Sequence, residues 1–171
     1  MATGMLSLFF GNHETSDFWV DCLKAWWETM RSKSRGIRRL VIYLDNGPKN
    51  SGSRTQFLKR IVEFSDWSGL EIRLVYYPPY HSKYNPIERC WSSLQKKWNG
   101  VLLKCWQVVE ACANRMTWKG NHPLVYRIEK EYPIGVRVSR HDMKPINERL
   151  LRSKELSKYD IIIKPKSPRG R

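Results

Sequence analysis

The sequence is short of acidic residues, short of cysteine and without a long apolar run, and each shortage closes off a class of protein. Asp and Glu number 16 against 31 Lys and Arg in 171 residues, a formal net charge of +15. So large an excess disfavours an acidic small-molecule enzyme and calls for a polyanionic partner, most simply nucleic acid. The four cysteines, at 22, 90, 105 and 112, never form Cys-x-x-Cys. A zinc knuckle is therefore unsupported, and they read as reduced core thiols. The longest apolar run near the start, Met5 to Phe10 with one Ser inside it, falls far below the roughly 20 residues that cross a bilayer. No basic segment precedes it. A soluble, cytoplasmic protein with no membrane partner is expected.

What the chain does have is apolar residues at 41%, enough for one packed core in about one domain's length. Met5 to Phe10 reads as a strand. Thr15 or Ser16 can cap a following helix to about residue 32, with Trp19, Leu23, Trp26 and Met30 as its apolar stripe. Leu40 to Leu44 is a continuous β-prone run of the kind buried on both faces of a sheet, and it stops at the turn formers Asp45-Asn46-Gly47-Pro48. A helix over 53 to 67 ends before Gly69, which suits a left-handed cap, and Leu70 to Tyr77 is again strand-like. Strand, helix and strand within about 38 residues form a βαβ unit with parallel strands and a right-handed crossover. Asn85 and Pro86 then open a helix whose stripe is Ile87, Trp91, Leu94 and Trp98. Beyond Gly100 the pattern predicts a helix over 102 to 116, an extended piece over 134 to 140, a helix over 145 to 156 and a strand at 159 to 163. Residues 101 to 171 carry 16 basic and 7 acidic residues, about twice the positive charge density of the first hundred. The tail from Lys164 adds four basic residues and no acid, a composition that serves either as a solvated end or as a nucleic-acid arm.

Two carboxylates stand out by position. Asp45 follows a parallel strand, and Glu88 sits in the first turn of the helix after the next strand, so both can reach the carboxyl edge of the sheet where ligands bind in open α/β folds. Phosphodiester chemistry commonly uses two magnesium ions roughly 4 Å apart, and this hard cation prefers carboxylate oxygens. Each residue also has a structural explanation. Asp45 can start a turn, and Glu88 stands three residues after the Asn85 cap, at the capping-box position.

The segment Leu44-Asp45-Asn46-Gly47-Pro48, followed by Tyr76-Tyr77-Pro78-Pro79-Tyr80-His81-Ser82-Lys83-Tyr84-Asn85-Pro86-Ile87-Glu88-Arg89-Cys90-Trp91, resembles the second and third acidic motifs of mariner-like DDE transposases. Of the two, the closer resemblance is to the ISAzo-type bacterial insertion-sequence transposases, and it continues through Trp98-Asn99-Gly100 and Met116-Thr117-Trp118-Lys119-Gly120 to the basic C-terminus. The resemblance implies an RNase H-like α/β fold, a mixed sheet with flanking helices. It also implies Mg2+ as cofactor, cleavage and transfer of DNA strands at insertion-sequence ends, and Asp45 and Glu88 as the second and third catalytic, metal-holding acids. It implies a nucleoid-associated bacterial enzyme whose partners are transposon-end and target DNA, working as a homodimer in the DNA complex. The family's first catalytic Asp lies on the first strand of its sheet. Here the first strand-like run leads directly into a helix, and Glu14, Asp17, Asp21 and Glu28 sit at the start or on the polar side of that helix, where pairing with solvent or the helix dipole accounts for them. The chain is therefore expected to be N-terminally truncated, to lack the first strand and the N-terminal DNA-binding region, and to be inactive by itself. Residues 1–120 are expected to form a partial RNase H-like catalytic domain and 121–171 a basic C-terminal extension.

Around the acids, Asn46, Asn85 and His81 are candidates to support the carboxylates from behind, although turn, cap and loop duties also explain them. Lys83, Arg89, Lys96, Lys97 and Lys119 are candidate DNA contacts that read equally as solvated charge, and Trp118 is a candidate base-stacking ring. A second reading is a basic DNA-binding module of the same fold without catalysis. Only the paired carboxylates favour the enzyme.

Overall fold

The computed structural model describes residues 4–78 and 85–166. It is a mixed α/β structure with five helices and two sheets among the described residues, and it divides into two compact units. One is drawn from Met1–Gly11 and Tyr80–Lys130, the other from Asn12–Pro79 and Glu131–Arg171. None of the helices described is long and apolar enough to cross a membrane.

In the larger unit, Thr15 caps α1 (Ser16–Met30), its hydroxyl accepting from the Phe18 amide at 3.1 Å. Strand β2 (Arg39–Leu44) leads through a turn to α2 (Thr55–Ser68), which Gly69 closes at φ 73°, and then to β3 (Glu71–Tyr76). β2 and β3 pair in parallel, with Leu40, Ile42 and Leu44 opposite Ile72, Leu74 and Tyr76. The βαβ reading of the sequence therefore holds, and the alternation of side chains sends these six residues to one face. β6 (Asp160–Ile163) joins β3 antiparallel, and β5 (Leu150–Arg152) joins β6, giving the order β2-β3-β6-β5. Val20 and Trp27 from α1, Phe57, Leu58, Ile61 and Phe64 from α2, and Met143 from α5 (Arg140–Asn147) pack with that face.

Three expectations change here. Among the described residues β2 pairs with one strand, and its outward face is not covered: Val41 and Tyr43 are 39% and 63% exposed, so it is not buried on both faces. The buried line of α1 runs through Val20 and Trp27, with Trp19, Leu23 and Trp26 flanking it half-buried. Residues 134 to 139 form no strand, and the following helix is α5, earlier than expected because Ser139 caps it by accepting from the Asp142 amide.

Ion pairs brace the sheet and tie the segment before β5 to α2. Arg73 grips Asp160 with two hydrogen bonds, at 2.9 and 2.7 Å, and Arg149 grips Asp66 at 2.6 and 2.7 Å. The Arg73 guanidinium holds the Asp160 carboxyl below the usual carboxylate range. A depressed folded-state pKa gives stability that is present above the unfolded value, near 4, and is lost as the pH falls through the folded value. Asp160→Asn should accordingly lower the thermal midpoint at pH 7 and have a much smaller effect at pH 2 to 3. Equal losses at both pH values would show that the pair contributes no linked stability.

The smaller unit pairs β1 (Ser7–Phe10) in parallel with β4 (Leu124–Arg127), a strand that the sequence pattern did not reveal. Its helices are α3 (Pro86–Trp98) and α4 (Trp106–Asn114). Leu6, Leu8, Cys90, Leu94, Ala113 and Met116 form its core, with Phe10, Trp98, Trp118 and Val125 packed against it. The stripe expected of α3 is thus rotated: Cys90 and Leu94 are buried, while Ile87 and Trp91 are 36% and 49% exposed. Cys22, Cys90 and Cys112 are buried free thiols, whereas Cys105, just ahead of α4, is exposed and not a core thiol. Burial pushes the Cys22 thiol up to about 12. The stretch from 121 onward supplies β4 to this unit and α5, β5 and β6 to the other.

Candidate functional site

Asp45 is the first residue after β2, at the carboxyl end of a parallel strand, where the chain leaves the buried Leu44 for solvent. Its Oδ1 accepts from the Gly47 amide at 3.2 Å and from the Asn50 side-chain Nδ2 at 3.0 Å. The first bond is the Asx turn that the sequence allows as a purely structural duty. Oδ2 has no hydrogen-bond or ion-pair partner among the described residues, so half of the carboxylate is free for a ligand. Asn46 takes φ 62°, a left-handed conformation uncommon outside glycine, and no hydrogen bond joins its side chain to Asp45.

The loop that carries Asp45 is tied down at four points. Ser16 Oγ donates to the Lys49 carbonyl at 2.7 Å, and the Asn50 amide donates to the Gly47 carbonyl at 3.2 Å. The buried Tyr76 hydroxyl donates to the Asn50 carbonyl at 3.0 Å, and Arg152 Nη2 donates to the Gly52 carbonyl at 2.8 Å. Gly52 keeps this packing close, since a Cβ there would stand 3.0 Å from the Lys158 carbonyl oxygen, tighter than ordinary contact. A carboxylate at the end of a strand and on a clamped loop meets the rigidity that a metal ligand requires.

Glu88 lies in the first turn of α3 and is exposed. Asn85 caps the helix, its Oδ1 accepting from the Ile87 amide at 3.3 Å. The reciprocal half of a capping box is missing: the Glu88 carboxylate makes no hydrogen bond or ion pair with a described residue. The structural explanation for this acid is therefore not realised, whereas Asn85 is occupied by its cap. Asp45 belongs to the larger unit and Glu88 to the smaller.

Of the basic candidates, Arg89, Lys96 and Lys97 are exposed on α3 without an ion-pair partner among the described residues, and Arg89 and Lys96, seven residues apart, share a face. Lys119 is exposed at φ 49°, beside Trp118, which is half-buried against the small core and pairs its backbone with Asn121. His81 and Lys83 lie outside the described residues. Two of the three acids of α1 are engaged elsewhere, while Glu28 is exposed. Arg60 bonds Asp17 at 2.7 Å and Asp21 at 2.5 Å, Gln56 donates to Asp17, and the Tyr132 hydroxyl donates to Asp21 at 3.0 Å. Among the described residues no three His, Cys, Asp or Glu side chains come together as a metal-holding group.

The residue that sequence reasoning missed is Asn50. It is only 5% exposed, and its Oδ1 is buried with no hydrogen-bond partner. Its signal was position alone, five residues beyond Asp45 in a run of turn formers.

A parallel strand thus ends on one acid, α3 opens near a second, and the chain is strongly basic. The chain belongs to the family described as the Rhodopirellula transposase DDE domain, whose sequence model matches residues 2–165. No curated protein and no solved structure matches it.

Proposed function

We propose that the chain is part of a magnesium-dependent transposase of the mariner-like superfamily, with an RNase H-like catalytic fold, that cleaves and transfers DNA strands at insertion-sequence ends. The observation that carries this reading is the family match over nearly the whole chain; the free Asp45 and Glu88 carboxylates support it. Asp45 is the second acid of the set and Glu88 the third, each a carboxylate that would hold divalent metal. The donors fit that group: a carboxylate with one oxygen free and a buried carbonyl oxygen without a partner are hard oxygen ligands suited to Mg2+. When bound, Mg2+ supplies positive charge to the attacking and leaving oxygens of a phosphodiester.

The work of the chain's own residues is to hold and to position. Asp45 is oriented by Gly47 and Asn50, and Glu88 projects from a helix start fixed by Asn85. Asn46, Asn85 and His81 are assigned supporting places around the carboxylates. Arg89, Lys96 and Lys97 on α3, with Lys83, Lys119 and Trp118, are assigned to the DNA. In this division 1–120 carries the catalytic residues and the basic 121–171 extension adds contacts to the DNA, in a homodimer acting on the bacterial nucleoid. Asp45 and Glu88 are two of the three acids that the family resemblance implies.

Millimolar Mg2+ should raise the thermal midpoint of the wild-type chain, because a ligand that binds only the folded state stabilises it by mass action, and Asp45→Ala should remove the rise. A wild-type midpoint indifferent to Mg2+ and Mn2+ would favour the non-catalytic DNA-binding module instead.

A further inference from the structure

We infer that Asn50 is itself a ligand of the divalent cation bound at Asp45, its side-chain carbonyl and the Asp45 carboxylate forming one oxygen-lined cradle above Gly47. The inference rests on the reading of Asp45 as a metal-holding acid and adds a neutral ligand to it.

Three observations converge. Asn50 is buried, yet its Oδ1 has no hydrogen-bond partner, a state that folded proteins avoid unless the group serves something else. The orientation of the amide is fixed by its other end. Nδ2 donates to Asp45 Oδ1 at 3.0 Å, and turning the amide over would set two oxygens against each other. Finally, the place where Gly47 lacks a side chain is lined by oxygen. A Cβ placed on Gly47 would stand 3.3 Å from Asp45 Oδ1, 3.4 Å from Asn50 Oδ1 and 3.6 Å from Asp45 Oδ2.

Gly47 is not in the left-handed region, so backbone conformation does not demand glycine at this position. What its missing side chain provides is the room between the three oxygens. Side-chain carbonyls and carboxylates are the ligand types of hard divalent cations, and the clamp on the Asn50 main chain from Tyr76 and Gly47 holds this one in place before any cation arrives. The same residue thus has two ends with two tasks: Nδ2 orients the carboxylate, and Oδ1 joins it on the cation.

The test is Mn2+ titration of the full chain, followed by loss of the free-ion electron paramagnetic resonance signal, with metal-free thermal midpoints measured alongside. Wild type should bind Mn2+, and Asp45→Ala should abolish this binding. Asn50→Ala should weaken it about 10-fold or more, the scale at which groups supporting a metal ligand act. Asn50→Asp, which keeps an oxygen in place, should retain it. Gly47→Ala, which removes no ligand but fills the cradle, should weaken binding with little change in the metal-free midpoint. Should Asn50→Ala fail to fold, Gly47→Ala and Asn50→Asp decide the matter alone. If Asp45→Ala loses Mn2+ while Asn50→Ala and Gly47→Ala bind as wild type does, Asn50 only shapes the turn and the inference is overturned. If Asp45→Ala also binds as wild type does, the metal reading of Asp45 itself has failed and takes this inference with it.

Discussion

Incubated with Mg2+ and duplex DNA bearing the element's ends, the chain should yield no strand-transfer product above the level given by its Asp45→Ala variant. Transfer by a two-metal site needs charge compensation at both the attacking and the leaving oxygen. Asp45 and Glu88 can supply only part of the ligands for two ions. Of the other acids near the start of the chain, Asp17 and Asp21 are committed, sharing the Arg60 guanidinium with Tyr132 donating to Asp21, and Glu14 and Glu28 lie exposed just before and on α1, neither of them on a strand. Withdrawing one such stabilising contact typically costs about 100-fold to 1000-fold in rate, and DNA held out of line adds to the loss. Product analysis on labelled transposon-end DNA checks this. Robust cleavage by the wild-type chain that Asp45→Ala abolishes would mean that an acid within this sequence completes the site.

The parts of the structure legible in the sequence are those in which local chemistry and tertiary packing agree. Thr15, Asn85, Pro86 and Gly69 mark helix ends because capping satisfies orphan backbone groups whatever the surroundings, and each sits where that chemistry requires. The βαβ crossover followed from the order of apolar runs. What failed depended on neighbours that the chain does not name. Leu40 to Leu44 is apolar enough for burial on both faces, yet the core packs on one face only and leaves Val41 and Tyr43 exposed on the other. Ile87 and Trp91 have helical spacing, but α3 turns Cys90 and Leu94 to its core, because the small unit's packing surface comes from β1 and α4. β4 was missed because Leu124 to Arg127 is four residues with no turn signal distinctive enough to mark it.

The candidate site shows the same division. Asp45 was visible because a carboxylate at the end of a parallel strand has a position-specific meaning. Glu88 was visible but ambiguous, and only the missing capping-box bond separates it from a structural acid. Asn50 was invisible, since its significance lies in a buried carbonyl oxygen lacking a partner, and no residue type or spacing announces that.

The second large effect expected concerns DNA. The chain should bind duplex DNA with little sequence preference and with affinity that collapses as salt rises. Its net charge of +15 is the determinant, because each phosphate neutralised releases condensed counterions, and log affinity falls with log salt by about 0.9 per contact. A surface making six to ten such contacts would lose about 1000-fold to 100,000-fold between about 50 and about 200 mM salt. Exposed, unpaired Lys96 and Lys97 at the end of α3 are natural contributors, so Lys96→Ala and Lys97→Ala should each reduce the slope by about 0.9 if the residue meets a phosphate. Asp45→Ala, which removes a negative charge, should bind in the absence of metal at least as tightly as wild type, and this separates the electrostatic footprint from the metal site. Fluorescence anisotropy across a salt series provides the measurement. An affinity that stays constant over that range would remove the polyanion partner on which both the transposase reading and the non-catalytic reading depend.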